Sequence, residues 1–281
     1  MLNVLSLNKV KINSQYDIIV ATMFPTLFKV NKYYKAKKNY YLVQNYETNF
    51  FSYKNSLRIE AEKTYFYPFE VNYITITKWC QRWLFKKYNK NSTYIPNGID
   101  FDNIKYHRRD FNNNNKFRIL IEGDSTSFYK NVNESSKIIE KLDKNKFEIW
   151  YLSYKGKPKN WYYINKFFYK IPHEKVIQIY YESDILLKSS ILESFSYPPL
   201  EMMATWGYSI VAPNERNKEY LKDRENCLFY KLGDINDGIK NINILISDKT
   251  LQENLFKNGL ETARKRNWNN LRNQIIDLYN A

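Results

Sequence analysis

Two carboxylates, Glu193 and Glu201, stand eight positions apart in the segment ILLKSSILESFSYPPLEMMATWGYSIVA, 185–212. A strand ending at Leu187 leads into a polar loop, and Pro198 and Pro199 suit the first turn of a helix, where their missing N–H groups would be unpaired anyway. That reading puts Glu201 in the first helical turn, favoured by the positive end of the helix dipole. Glu193 then lies just beyond the strand, where open α/β sheets bind ligands. Two carboxylates on one crevice can accept hydrogen bonds from the hydroxyls of a polyhydroxylated ligand. Spacing alone also allows a plain surface charge at Glu193 and a simple dipole partner at Glu201.

A complementary group is predicted in IEGDSTSFYKNV, 121–132. Here a strand passes through Gly123 into a polar loop, then reaches Lys130, Asn131 and a helix. Loop amides and a helix N-terminus aimed at one place make an anion site, which a lysine completes. The GxxxxGK spacing of a Walker loop is absent. His107 reads as a linker residue and His173 as a helix-start residue. Cys80 and Cys227 lie far apart without a CxxC or Cys/His cluster, so neither a disulfide framework nor a metal site is expected.

These residues need a scaffold of strands whose ends meet. Apolar runs recur at 17–21, 39–43, 71–76, 117–122, 147–152, 184–187 and 208–212, with helical stretches between them. The alternation predicts α/β layers with parallel sheets. Trp79, Trp83, Leu84 and Tyr88 share a helical stripe over 78–89, as do Ile138, Ile139 and Leu142 over 133–142, and both stripes read as core. After Gly233 the pattern is helical to the end. YIPNGID at 94–100 and the polar stretch 107–117 mark a domain boundary.

With 44 Lys and Arg against 29 Asp and Glu, the net charge is +15. Such a surface suits nucleic acid, anionic lipid headgroups or a phosphorylated substrate. The joint abundance of Lys, Asn, Ile, Tyr and Phe is also what an AT-rich coding sequence produces. No RNP-like motif, zinc pattern or clear basic helix is present, so nucleic acid is not expected as a partner. No apolar run reaches the ~18 residues of a membrane span, and the opening MLNVLSLNKVKINSQYD lacks secretory-signal features. A cytoplasmic setting is expected.

At the same residues a resemblance becomes specific. ESFSYPPLE resembles the E-x7-E motif of glycosyltransferase family 4, IPNGID the segment entering that family's donor domain, and EGDSTSFYKNV its phosphate-binding loop. VQNYE, TITKW and LLKSSILESFSYPPLEMMA are similar to strings of the rhamnosyltransferase-like subgroup, and ARKRNWNNL resembles the family's closing helix. The resemblance runs from about Asp17 onward. It implies an α/β GT-B fold, two Rossmann-like domains facing a cleft, with the N-terminal domain truncated. The implied division is 1–96 as a partial acceptor-side domain, 97–264 as the nucleotide-sugar donor domain, and 265–281 as a helix packing back towards the N-terminal domain.

The implied activity is a retaining transfer of a sugar, rhamnose among the candidates, from a nucleoside diphosphate sugar to a saccharide or lipid-linked acceptor. No metal or other cofactor is implied. On the family's terms Glu193 holds the sugar ring and Lys130 the diphosphate, as the catalytic pair. Glu201 holds the ribose hydroxyls, and Gly123, Asn131, Lys188, Ser194 and Phe195 complete the donor site. An ammonium and helix amides placed there would stabilise the departing diphosphate more than the ground state. Gln44, Asn45, Glu47, Thr75 and Thr77 would face the acceptor. Peripheral contact with anionic lipid on the inner membrane face is implied by analogy.

Two features depart from the family pattern. A strand–helix region that usually precedes the equivalent of DIIVATMFPT is missing. Trp206, Arg216 and Arg224 stand where the family reads glycine, in ATWGY, NERNKEY and KDREN, and the whole sequence has only seven glycines. Glycine at such places permits positive φ or close approach to a ligand, and a larger residue there costs ~1 kcal/mol or more. These departures leave a second reading open, a non-catalytic sugar-nucleotide-binding or scaffold homologue.

Overall fold

A computed structural model describes residues 15–66, 68–104 and 116–280. His107 and most of the polar stretch around it lie outside the described residues, as does the opening segment. By contacts the chain divides into two units, one formed by residues up to Asn97 together with Leu271 onward, the other by Gly98–Asn270.

In the first unit, strands β1 (Gln15–Ala21), β2 (Lys35–Val43), β3 (Asn72–Thr75) and β4 (Ser92–Tyr94) form a parallel sheet in the order β1-β2-β3-β4. Helices α1 (Phe24–Tyr33), α2 (Ser56–Phe66) and α3 (Lys78–Tyr88) supply the crossovers that parallel pairing demands. The Thr77 hydroxyl caps α3 by accepting from the Cys80 amide at 3.0 Å, and Asn89 ends it in the left-handed region, φ 53°. Tyr41, Tyr65 and Leu84 are fully buried in the core. Trp83 packs on its edge, 4.5 Å between ring centres from Tyr46 and 4.9 Å from Tyr65.

In the second unit the elements run β5 (Phe117–Glu122), α4 (Val132–Glu140), β6 (Phe147–Ser153), β7 (Lys166–Tyr169), α5 (His173–Glu182), β8 (Ile185–Lys188), α6 (Tyr197–Ala204), β9 (Tyr208–Val211), β10 (Leu228–Phe229), α7 (Ile235–Ser247), α8 (Lys249–Lys265) and α9 (Trp268–Asn280), the last crossing into the first unit's residues. All strands pair in parallel in the order β10-β9-β8-β5-β6-β7. Ile119, Ile121, Ile185 and Leu187 fill one face of this sheet, Leu120 and Leu186 the other. Successive side chains point to opposite faces, so an uninterrupted apolar run is what a strand covered on both sides requires.

From β5 the chain moves outward to β6 and β7, then returns to build β8, β9 and β10 on the opposite side. The order therefore reverses between β5 and β8. Loops leaving the carboxyl ends of these two neighbours diverge and open a crevice, the place where open α/β sheets accept ligands.

Candidate functional site

Glu122 ends β5 and Lys188 ends β8. The pairing of Ile121 with Leu187 makes them cross-strand neighbours, and the Lys188 ammonium donates to Glu122 Oε2 at 2.6 Å. Its second partner is Glu193 Oε1 at 3.2 Å, and the same oxygen receives a hydrogen bond from Lys130 Nζ at 2.9 Å. An alternating row results: Glu122, Lys188, Glu193, Lys130. The Lys188 side chain is 3% exposed, whereas that of Lys130 is 25% exposed. Lys188 thus stands behind the row with both carboxylates on it, and Lys130 is the ammonium that solvent or a ligand can reach.

Burial opposes charge on both central groups, but the opposite charges win. Burial would raise the Glu193 carboxyl, yet Lys188 and Lys130 hold it down at about 2. Burial would lower Lys188, yet Glu122 and Glu193 hold its ammonium above the ordinary lysine value. Both are ionised at any physiological pH.

The loop that delivers Lys130 is shaped by Gly123, at φ 144°, a conformation L side chains rarely adopt. An added Cβ would meet the Val132 side chain at 3.2 Å and Lys130 Cβ at 3.3 Å. Asp124 braces the turn by accepting from the Thr126 amide and the hydroxyls of Thr126 and Ser127, at 2.7–2.8 Å. Asn131 takes the left-handed conformation, φ 48°, immediately before α4. Its carbonyl accepts from the Ser189 hydroxyl at 2.7 Å, and the Tyr129 carbonyl accepts from the Ile191 amide at 2.8 Å. The β5 and β8 loops are therefore tied together.

Glu201 lies beside a cavity of about 730 Å3 within the second unit. Glu122 is on its wall too, as are His173, Tyr180, Tyr197 and Trp268. His173 Nε2 is 3.3 Å from Glu201 Oε1. The buried Tyr180 phenol is pushed well up, by burial first and then by the charges of Glu201, Glu122 and Glu193. Despite the +15 charge of the chain, no Lys or Arg is among the described residues lining the cavity.

The structure corrects the predicted place of Glu201. Helix α6 starts at Tyr197, preceded by Ser196 at φ 71°, and has no acidic residue in its first turn. Glu201 is in the second turn, so its interactions are lateral, towards α5 and the cavity, and not with the helix end. Of the other predicted donor-site residues, Ser194 is half-buried in the loop. Phe195 is core: its ring packs 4.8 Å from Tyr220 and 5.2 Å from Tyr197, with the Arg266 guanidinium 5.0 Å away.

The three glycine-like positions differ from one another. Trp206 and Arg224 do adopt positive φ, 69° and 57°. Arg216 does not, at φ −89°, and is instead buried, its Nη1 donating to the Glu193 carbonyl at 3.4 Å.

In the first unit, the five polar residues predicted to face an acceptor have internal partners. Glu47 accepts from the Phe24 amide at 2.8 Å and the Tyr41 hydroxyl at 3.3 Å, and burial raises its carboxyl above the ordinary value. Gln44 donates to the Thr22 carbonyl at 3.1 Å, and Asn45 accepts from the Tyr46 amide at 2.8 Å. Thr75 shares a hydrogen bond with Ser92 at 3.3 Å, and Thr77 caps α3. Glu122 and His173 were missed as site residues in the sequence. A charged residue closing a strand buried on both faces was the available signal for Glu122; His173 gave none, because its contact with Glu201 is across two helices.

The sequence profile described as Glycosyl transferases group 1 matches residues 103–262, more than half of the chain. No curated protein matches the sequence. Among solved structures, sucrose-phosphate synthase from Thermosynechococcus elongatus is similar at a TM-score of 0.78 and 15% identity, over 94% of this chain and 73% of that one. HepE from Anabaena in complex with UDP-glucose is similar at 0.77 and 15%, over 93% and 78%. TarM from S. aureus, solved with UDP and α-GlcNAc-glycerol, is similar at 0.71 and 14%, over 92% and 53%.

Proposed function

The chain belongs to the glycosyl transferases group 1 family, and from that premise we propose that it transfers a sugar from a nucleoside diphosphate sugar to a saccharide or lipid-linked acceptor. The observation that carries the reading is the row Glu122–Lys188–Glu193–Lys130 at the β5/β8 reversal, beside a cavity without lysine or arginine among its described lining residues. Such a cavity suits the uncharged end of the donor. The nucleoside enters it, with its ribose hydroxyls on Glu201. The diphosphate stays outside, at the reachable ammonium of Lys130 and the amides around Asn131.

As the bond to the sugar breaks, negative charge gathers on the diphosphate. Lys130 stabilises it, a contribution of about 10²–10³ in rate for one well-placed donor. Glu193, ionised down to about 2, accepts hydrogen bonds from the sugar hydroxyls and has no proton to give the leaving group. Lys188 is a positioning residue that fixes Glu193. The proposal assigns no metal, and retention of anomeric configuration, membership of family 4 and a rhamnose donor belong to it through the motifs of the sequence. The UDP-glucose of HepE and the UDP of TarM make uridine donors the first to test. No helix among the described residues is long and apolar enough to cross a membrane; work on a lipid-linked acceptor would use peripheral contact with anionic lipid.

The test is release of nucleoside diphosphate from UDP-glucose, dTDP-rhamnose and GDP-mannose, with the product anomer read by NMR. Release abolished by Lys130→Met and Glu193→Ala, with a product of the donor's own anomeric configuration, supports the proposal; a product of the opposite configuration removes the retaining mechanism. The buried Arg216 beside Glu193 favours a second reading, binding without transfer, which donor binding with no release would establish.

A further inference from the structure

His173 opens α5 with its side chain 73% exposed, while its partner Glu201 is only 10% exposed. Both line the same cavity. The other titratable groups facing that space are the carboxylates of Asp100, Glu122 and Glu174 and the phenols of Tyr154, Tyr180 and Tyr197. Among the described lining residues His173 is therefore the one side chain able to carry positive charge. A cation placed against the carboxylate assigned to the ribose is a specific arrangement, since an unpartnered carboxylate can turn to any of several donors.

Resting on the donor reading above, we propose that His173 is a positioning residue for donor binding: its imidazolium holds Glu201 in the orientation that receives the vicinal hydroxyls of the nucleoside. The hydrogen bond to Glu201 raises the imidazole above its ordinary value, burial opposes it, and the charges of Glu201 and Glu174 add to the rise. The protonated, holding form thus persists to higher pH than in a free histidine. Donor affinity should weaken as pH rises through that titration. By reciprocity, bound donor should raise the imidazole titration further.

The sequence has two histidines, His107 and His173, so the His173 ring proton is identified in the NMR spectrum by its loss in His173→Asn. UDP-glucose, dTDP-glucose and GDP-glucose are the probes, because a diphosphate diester has no proton to lose near neutral pH. The expected result is that the probe that binds moves the His173 midpoint upward and leaves that of His107 in place. In His173→Asn, affinity below the wild-type midpoint should fall roughly tenfold and its dependence on pH should flatten. A His173 midpoint unchanged or lowered by bound probe would overturn the inference, since ribose would then ignore or displace the imidazole. So would an identical pH dependence of affinity in His173→Asn. If none of the three probes binds at any pH, the donor reading itself falls and this inference with it.

Discussion

Lys188 has a carboxylate on each side, at 2.6 and 3.2 Å, in a nearly water-free position. Removing one member of such a buried set leaves uncompensated charge, which costs about 3–5 kcal/mol. Lys188→Met should therefore lower the unfolding free energy of the chain by that amount in urea titration, whereas Lys130→Met, at the exposed end of the row, should change it little. Equal losses would mean that the two lysines are not divided into support and contact. Glu193 adds a pH dependence. Its carboxyl is depressed to about 2 in the fold, so its contribution is complete above the ordinary glutamate value and is lost as pH falls towards 2. Urea unfolding followed from about pH 5 to about pH 3 should show a steeper fall for the wild type than for Glu193→Gln; parallel curves would contradict the assignment. At this scale Lys130 and Glu193 could be singled out because each follows a recognisable strand, and Glu201 because prolines mark its helix, although its turn was misplaced. Glu122 was not, because FRILIE reads as one strand and the partner of its last residue is 66 positions away.

Among the elements, the strands that carry an apolar run of their own were legible, β3, β8 and β9 included at four residues each. FRILIE and FEIWYL match β5 and β6 because a strand covered on both faces is apolar throughout. β4, β7 and β10 fall outside those runs; β4 has three residues and β10 two, too few for any period to show. The helix α6 was predicted from its prolines, but its first residue is Tyr197, and that displacement moved Glu201 out of the first turn. Positive φ at Trp206 and Arg224 was foreshadowed by their glycine-like setting; Arg216 shows that the same signal can mark a site where a side chain is accommodated in ordinary backbone. Arg224 is exposed and left-handed, so Arg224→Gly should stabilise the chain by about 1 kcal/mol, seen as a raised thermal midpoint. Trp206→Gly should not, because it also removes a ring packed 4.7 Å from Phe256. A lowered midpoint for Arg224→Gly would show that its conformation carries no strain.

For the whole molecule, each unit closes its own parallel sheet, and residues from Leu271 onward count with the first. Within that unit the Tyr40 hydroxyl donates to the Leu278 carbonyl at 3.1 Å, and the Tyr40 and Tyr279 rings meet edge to face at 5.3 Å. A chain ending at Asn270 should lose about 1–3 kcal/mol of local stability there, read as faster hydrogen exchange in β2, with exchange in β5 and β8 unchanged. Unaltered β2 exchange would show that the tail contributes nothing to the unit. The α/β class was legible because strands and helices alternate along the chain; the reversal of strand order that brings Lys130 and Glu193 together was not, because strand order depends on crossovers that leave no local mark.

On the donor assignment, the β5/β8 crevice receives a nucleoside diphosphate. Hydrogen exchange of the full chain with and without UDP, dTDP and GDP tests it most directly. Protection concentrated at 121–132, 171–177 and 193–205 by at least one of them is the predicted result. Protection confined to other segments, or none with any of the three, would contradict it.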